Sequence, residues 1–369
     1  MSPPSRLAAM DVAGRAGRLR GRLAEAGCEA LLVSNRSNVR YLCGFSGSAG
    51  LLLVLAEELV VLTDGRYATQ LEAELEAAGV RARTVVGDPV RQLEALKAAL
   101  AGVDRLGLEA EAVSWARQRR LAEELAPVET VPTTGLVEAL RRVKDPGELD
   151  RIARAAEIAD QALQECLPLV GAGASEAEVA LALDSAMRRL GAQRSSFETI
   201  VASGPNSAMP HARPTSRRIA EGDLVVVDFG AVVDGYCSDT TRTFVRSGVS
   251  AARRRMLEVV RHSQAAGVAA LRAGRPASEV DGACRQVIEQ AGWADAFVHG
   301  TGHGVGLDIH EAPAVASRSA DMLEAGCVVT VEPGVYLPGE GGVRIEDTLV
   351  VTSDGSRALT RFPKELVVV

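Results

Sequence analysis

Three histidines crowd one short stretch, His299-Gly300-Thr301-Gly302-His303-Gly304-Val305-Gly306-Leu307-Asp308-Ile309-His310, in a chain of 369 residues that holds only five. Spacings of four and seven would place them on one helical face. Four glycines lie between the outer two, however, and each costs about 1 kcal/mol relative to alanine inside a helix. The stretch is therefore expected to be extended or looped, with backbone open to close approach by a ligand. Gly302 and Gly304 have no glycine three residues on, so this is no dinucleotide fingerprint, and His310-Glu311-Ala312-Pro313-Ala314 lacks the second histidine of a helical zinc motif. Gly44-Phe45-Ser46-Gly47-Ser48-Ala49-Gly50 fails the nucleophile spacing of a serine hydrolase at both serines.

Acids in apolar surroundings complete the chemistry. Leu224-Val225-Val226-Val227-Asp228-Phe229-Gly230-Ala231-Val232-Val233-Asp234-Gly235-Tyr236-Cys237-Ser238-Asp239 reads as a hairpin turning at Asp234-Gly235. Val233 would then face Tyr236 and Asp239 would face Gly230. Asp228 shares the face of Gly230, so the two carboxylates become diagonal neighbours with backbones about 7–8 Å apart. Two readings are open for the hairpin alone: solvated acids at a strand end, or a convergent pair. Glu332, in Val331-Glu332-Pro333-Gly334, and Glu346, in Arg344-Ile345-Glu346-Asp347, also interrupt apolar strands, where a charge requires a partner. A salt bridge to Arg344 is one solution. A metal site is the other: Asp228, Asp239, Glu332, Glu346 and a histidine form an oxygen-rich set suited to Mn, Co or Fe, with zinc as a further option. Four carboxylates overcharge a single divalent ion, whereas two ions about 3.5–4 Å apart balance them.

The elements that must position these residues follow from hydrophobic periodicity. Helical patterns at 148–169 and 175–190 precede strands at 199–202 and 224–233. Helical patterns at 251–273 and 277–290 precede strands near 328–331 and 343–351. Helices and strands in runs argue an antiparallel or mixed sheet with helices packed on one side, and their order suggests two similar halves. Upstream the pattern alternates: a helical run over 11–27, a strand at 29–34, strands near 51–55 and 59–63, a helix at 66–78 and a strand at 84–86. A helix after Pro89, a strand at 106–109 and a helix near 113–125 complete an α/β layer. Val131-Pro132-Thr133-Thr134-Gly135 and Lys144-Asp145-Pro146-Gly147 both break the pattern, and the boundary is placed between them, giving domains 1–140 and 141–369.

Composition sets the remaining bounds. At about 150 residues per domain the length fits two. Lys+Arg 41 against Asp+Glu 48 gives a formal charge of −7, which speaks against a broad basic footprint for nucleic acid or a membrane surface. Six cysteines without a CxxC pair indicate neither a disulfide framework nor a thiolate zinc site. No apolar run approaches the roughly 18 residues of a membrane span, and 1–22 lacks the apolar core of a secretory signal. A cytoplasmic location is expected.

Asp228, Asp239, His303, Glu332 and Glu346, in that order and within Val-Asp-Phe-Gly, Ser-Asp-Thr-Thr-Arg, Gly-His-Gly-Val-Gly, Glu-Pro-Gly and Arg-Ile-Glu-Asp, resemble the ligand set of the pita-bread metallopeptidases. Upstream, Asn38-Val39-Arg40-Tyr41-Leu42-Cys43-Gly44-Phe45-Ser46-Gly47-Ser48 and Leu62-Thr63-Asp64-Gly65-Arg66-Tyr67 are similar to the amino-terminal domain of the aminopeptidase P, prolidase and creatinase branch. The resemblance covers nearly the whole chain. It implies an α+β protein, an N-terminal creatinase-like α/β domain followed by a C-terminal pita-bread domain. Creatinase lacks the full metal set, and methionine aminopeptidases normally lack such an amino-terminal domain.

By this resemblance Asp228 and Asp239 ligate one ion, His303 and Glu332 the other, and Asp239 and Glu346 bridge. The ions are expected to be Mn2+, with Co2+ or Zn2+ as alternatives, and a hydroxide between them would be the nucleophile. Glu332 would accept the proton. His211 matches the family's substrate-binding histidine, His310 the one that polarises the scissile carbonyl, and His299 the one beside the proline pocket. Arg344 is assigned to the substrate site and resembles the cation that holds the bridging glutamate. His262 matches nothing and is read as a surface or packing residue. The expected activity is that of an Xaa-Pro aminopeptidase, on peptides with proline second. Many prolidases carry an arginine four residues after the histidine matching His310, able to grip a dipeptide carboxylate; here that position is Ala314, with Arg318 further on. An Xaa-Pro dipeptidase (prolidase) is the alternative, and a non-catalytic peptide-binding relative a more distant one. A homodimer or higher homo-oligomer is expected, with no nucleic-acid or membrane partner.

Overall fold

The computed structural model describes residues 7–365 and 368–369; residues 1–6, part of the arginine-rich start, lie outside the described residues. The chain divides into two compact units, Ala9–Arg141 and Arg142–Val369, the second joined by Leu7 and Ala8. Ala8 groups there because its N–H donates to Asp150 at 2.8 Å and its carbonyl accepts from Arg151 at 2.8 Å. These two residues therefore leave the unit to which the sequence assigned them.

The first unit runs α1 (Arg15–Leu23), β1 (Ala30–Val33), α2 (Arg36–Cys43), β2 (Gly50–Val54), β3 (Leu59–Thr63), α3 (Ala68–Ala77), β4 (Arg83–Val86), α4 (Pro89–Ala99), β5 (Arg105–Glu109), α5 (Trp115–Glu124), β6 (Glu129–Thr133) and α6 (Glu138–Arg141). Its sheet has the order β4-β3-β2-β1-β5-β6, with β2 antiparallel to both neighbours and the other pairs parallel. Alternate residues Ala30 and Leu32, Val60 and Leu62, and Leu106 and Leu108 pack with Leu96 of α4 and Leu121 of α5 in one core. Two local expectations change. The segment 36–43, not read as helical, is α2, with the Asn35 side chain accepting from the Ser37 and Asn38 N–H groups at its start. Val131-Pro132-Thr133, read as an interruption, belongs to β6, where proline is tolerated because the strand lies at the sheet edge.

The second unit opens on α7 (Pro146–Gly171), capped reciprocally by Asp145 and Glu148, which is why Lys144-Asp145-Pro146-Gly147 reads as a break. Next come α8 (Glu176–Arg189), β7 (Arg194–Ser195), β8 (Ile200–Ser203), β9 (Leu224–Phe229), β10 (Ala231–Val233), β11 (Tyr236–Cys237) and β12 (Thr240–Val245). After α9 (Ala251–Ala270) and α10 (Ala277–Gln290), the strands are β13 (Gly302–Gly304), β14 (Glu311–Val315), β15 (Val328–Val331), β16 (Gly334–Leu337), β17 (Gly341–Arg344), β18 (Asp347–Val351) and β19 (Ser356–Ala358). Among the described residues these strands pair with one another only antiparallel. One strand was expected over 343–351; instead β17 and β18 pair in different sheets, and Ile345 and Glu346 lie between them. Among the described residues, no helix is long and apolar enough to cross a membrane.

Each helix pair backs its own strands. The α7 and α8 residues Ile158, Ala159, Leu163, Leu183 and Met187 pack with Val225, Val227 and Phe229 of β9. Val260 of α9 and Val280 and Ile288 of α10 pack with Val329 and Val331 of β15 and Leu349 of β18. Because side chains alternate along a strand, the residues between, Asp228 on β9 and Thr330 on β15, point away from these helix-backed faces.

The Asp234-Gly235 turn has positive φ at both residues, 44° and 81°, the conformation that a two-residue hairpin needs. Val233 pairs with Tyr236, Phe229 with Thr240 and Asp228 with Thr241. The register therefore runs unbroken past Gly230 and Asp239. A side chain at 230 would overlap the Ser238 carbonyl oxygen and the Ser196 hydroxyl. Gly230→Ala is expected to destabilise the protein by about 3 kcal/mol, an overpacking cost, read as a lower urea midpoint at unchanged slope; a midpoint equal to wild type would show that the hairpins can separate without cost.

Candidate metal centre

Strand alternation brings the acids together. Asp228 on β9 lies opposite Thr241 on β12, and Asp239, two residues before Thr241, shares its face. His303 occupies the middle of β13, which pairs with β14 and β15; the glycine-rich stretch is thus a three-residue strand at 302–304 with irregular backbone on either side. A Cβ at 302 would overlap the backbone of Thr330, so glycine there permits the close approach of β15. Glu332 follows β15 and Glu346 precedes β18.

The ligand-type atoms of Asp239, His303 and Glu346 all lie within 4.8 Å of one another. His303 Nε2 is 3.5 Å from Asp239 Oδ2 and 3.4 Å from Glu332 Oε1. Its Nδ1–H donates to the Gly304 carbonyl at 2.9 Å, which fixes the tautomer and presents the Nε2 lone pair to the acids. Arg344 Nη2 donates to Asp228 Oδ2 at 2.6 Å. Its Nη1 donates to the Tyr336 hydroxyl at 2.7 Å and to the Pro210 carbonyl at 3.2 Å, and its Nε to the Thr241 hydroxyl at 3.1 Å. Thr241 in turn donates to Glu346 Oε2 at 2.7 Å. The guanidinium therefore grips Asp228 directly and reaches Glu346 only through a hydroxyl, a correction to its assignment as the holder of Glu346.

The electrostatics are those of a cation site. Burial, reinforced by the Glu346, Asp228 and Glu332 carboxyls, raises Asp239 well above the ordinary carboxylate range. Burial and its acidic neighbours do the same to Glu346. Glu332 is pushed up to about 7, chiefly by desolvation. Burial lowers His303 below its ordinary value. Asp228 Oδ1 and Glu346 Oε1 are buried acceptors with no hydrogen-bond partner. Orphaned carboxylate oxygens beside an imidazole lone pair fit a hard divalent ion well.

Above this cluster lies a cavity of about 510 Å³ that Asp228, Asp239, His303, Glu332 and Arg344 line together with His211, His299 and His310. His310 packs its ring edge-on to His303, centroids 4.3 Å apart. His299 Nδ1–H donates to Gly300 at 2.7 Å, so its Nε2 accepts from the Tyr336 hydroxyl at 2.9 Å; burial pulls it down to about 4 and keeps it neutral. His262 is exposed and beside Arg261, away from the cavity. Tyr336, Thr241 and Thr330 were not singled out from sequence. Thr330 donates to Glu332 Oε1 at 3.1 Å and accepts from the His303 N–H at 3.1 Å. Two of them carried a legible signal, since Thr241 and Thr330 each lie two residues from a candidate ligand and so on its face of the strand.

Comparison with known proteins fits this geometry. A family model described as Metallopeptidase family M24 matches residues 150–353, and one described as Creatinase/Prolidase N-terminal domain matches residues 15–143. The chain is 39% identical to an uncharacterised peptidase, YqhT, of Bacillus subtilis over 95% of this chain and 99% of that one. The structure of an Xaa-Pro dipeptidase from Bacillus anthracis superposes with a TM-score of 0.93 at 38% identity, covering 97% of this chain and 100% of that one. An X-Pro aminopeptidase from Thermotoga maritima gives 0.86 at 32% identity, covering 93% and 98%.

The raised carboxyls set a pH dependence. Glu332, ordinarily near 4.5 and near 7 in the metal-free fold, disfavours folding increasingly as pH rises between those values, and Asp239 and Glu346 act in the same direction. A bound cation displaces their protons and removes that penalty. The melting-temperature gap between manganese-loaded and chelator-treated protein should therefore widen from pH 5.5 to pH 8, with manganese affinity rising in parallel. A gap independent of pH would refute a carboxylate-based cation site.

Proposed function

The chain belongs to metallopeptidase family M24 and carries the creatinase/prolidase type of amino-terminal domain, and from that premise we propose that it is an Xaa-Pro exopeptidase that hydrolyses the bond before a proline in the second position. The observation that carries this reading is the convergence of Asp228, Asp239, Glu332 and the His303 imidazole on a cavity that three further histidines also line, with the buried Glu346 carboxyl within 4.8 Å of Asp239 and His303. Metallopeptidase membership implies divalent ions. We assign Asp228 and Asp239 to one, His303 and Glu332 to the other and Asp239 and Glu346 to both, with manganese as the native metal and cobalt or zinc as substitutes.

When bound, such an ion pair supplies a water ionised near neutral pH and a Lewis acid for the peptide carbonyl. The chain's own residues do the rest. Glu332 Oε1 is tied to Thr330, which leaves Oε2 to take the proton released in the attack and to pass it to the departing proline nitrogen. His310, whose ring is kept neutral by partial burial, donates to the scissile carbonyl oxygen as charge grows there. His211 binds substrate from the segment 210–214 along one wall, and neutral His299 packs beside the proline ring, held by Tyr336. Arg344 holds Asp228 in its orientation within the cluster.

Aminopeptidase action on longer peptides is the first reading, because position 314 carries an exposed alanine, whose N–H donates to Asp321, and offers no cation for a substrate carboxylate. Dipeptidase action is the second reading, favoured by the likeness to the Bacillus anthracis enzyme and by Arg213. That guanidinium lines the cavity, with an exposed Glu198 at 3.5 Å as its ion-pair partner. Pairs so exposed are weak, so it remains available to a substrate.

A panel of Xaa-Pro, Xaa-Pro-Yaa and non-proline peptides, assayed with manganese, cobalt and zinc, tests the proposal. Cleavage confined to peptides with proline second is expected, with manganese most active and Xaa-Pro-Yaa preferred; equal cleavage of the non-proline controls would overturn it. Should dipeptides be preferred instead, Arg213→Ala should raise their KM about tenfold, the worth of one charged hydrogen bond, and leave Xaa-Pro-Yaa unchanged. An equal effect on both would remove Arg213 from carboxylate recognition.

A further inference from the structure

Glu346 is held in an unusual way for a residue so deeply buried. The strands on either side of it, β17 and β18, belong to different sheets, so no ladder of its own fixes its backbone. Its N–H donates instead to the Thr241 carbonyl at 3.1 Å, and its carbonyl accepts from Arg242 Nη1. Both grips come from β12.

Arg242 lies on the reverse face of that strand from Thr241, only 2% exposed. Besides Glu346 it holds the Thr241 carbonyl at 2.9 Å and Asp347 Oδ1 at 2.8 Å. It also binds the carbonyls of the C-terminal strap, Phe362 at 2.6 Å and Pro363 at 3.1 Å. Asp347 is enclosed by the same strap and by α9: Thr360 donates to Oδ1 at 3.0 Å, while Lys364 of the strap and Gln264 of α9 donate to Oδ2. Phe362 packs edge-on to Phe244, two residues along β12 on the Arg242 face. A buried guanidinium with so many fixed acceptors has little freedom, and neither has the carbonyl of Glu346 that it holds.

We infer that Arg242, locked by the C-terminal strap 359–364, is the positioning residue that presents the Glu346 carboxylate to the metal centre, so that the strap sets affinity for the second of two ions. The inference rests on the reading of Glu346 as a shared ligand. Arg242 touches neither substrate nor ion and acts through the backbone of Glu346. Partners of this kind change metal affinity without supplying a ligand.

Manganese titration calorimetry, with electron paramagnetic resonance of the exchange-coupled pair, tests this on the full chain. Wild type should take two ions and Glu346→Gln should lose the second; if either fails, the ligand reading itself fails. Given both, Arg242→Lys should bind the first ion normally and the second about tenfold more weakly, with the coupled signal replaced by that of isolated manganese. Lys364→Met, at the accessible end of the strap, should weaken the second ion about threefold, a smaller effect because it acts through Asp347. Glu176→Gln serves as the structural control: that carboxylate accepts from Ser203, Asn206 and Thr215, away from the strap, so it should lower the melting temperature and leave both affinities unchanged. Second-ion affinity within twofold of wild type in Lys364→Met and in folded Arg242→Lys would overturn the inference, and Lys364→Met decides alone if Arg242→Lys does not fold. A matching loss of second-ion affinity in Glu176→Gln would also overturn it, by reducing the effect to general destabilisation.

Discussion

Four carboxyl groups gathered around one imidazole, with a single guanidinium to answer them, form the constraint on which the second unit depends. Like charges taken out of water repel strongly, and the fold relieves the repulsion unevenly. Arg344 takes Asp228, the Thr241 hydroxyl takes one oxygen of Glu346 and the Thr330 hydroxyl one oxygen of Glu332. Asp228 Oδ1 and Glu346 Oε1 remain without partners. Relief by hydrogen bonds is thus incomplete, and a divalent cation would relieve the same repulsion, so affinity for such an ion and the cost of gathering the acids have one origin.

Holding mutually repelling groups in place requires stiff supports, and the architecture supplies them from two directions. One helix pair backs β9 and another backs β15 and β18, so the strand that carries Asp228 and the strand that leads into Glu332 are each packed on one face. Strand alternation turns that packing into aim. The apolar residues Val227 and Phe229 enter one core, and Asp228 between them can only point the other way. Glu346 escapes this scheme because it falls between strands, which explains why its backbone is gripped from β12.

The same network links the acid cluster to the wall of the cavity. Arg344 joins Asp228 to Tyr336, and Tyr336 holds His299 at the wall of the cavity. A buried phenol, raised to about 12 by desolvation, stays protonated and donates its hydrogen to the imidazole, which fixes His299 as an acceptor on that side. The orientation of His299 therefore depends on the guanidinium that restrains Asp228.

Much of this was legible from the order of residues. The Asp234-Gly235 turn sets the hairpin register by local sterics, and that register places Asp228 and Asp239 on one face without reference to the rest of the chain. Glycines around His303 exclude a helix for equally local reasons. What escaped the sequence was non-local. Pro132 looked like a break because propensity cannot tell an edge strand from a central one. The assignment of Arg344 to Asp228 in place of nearby Glu346, and the enlistment of Tyr336, Thr241 and Arg242, depend on which sheets approach each other. Periodicity along one strand states which way a side chain points, and hence which chemistry is available. What waits at the other end is decided only when sheets distant in sequence pack together, since hydrogen bonds and charges act over a few ångströms of space.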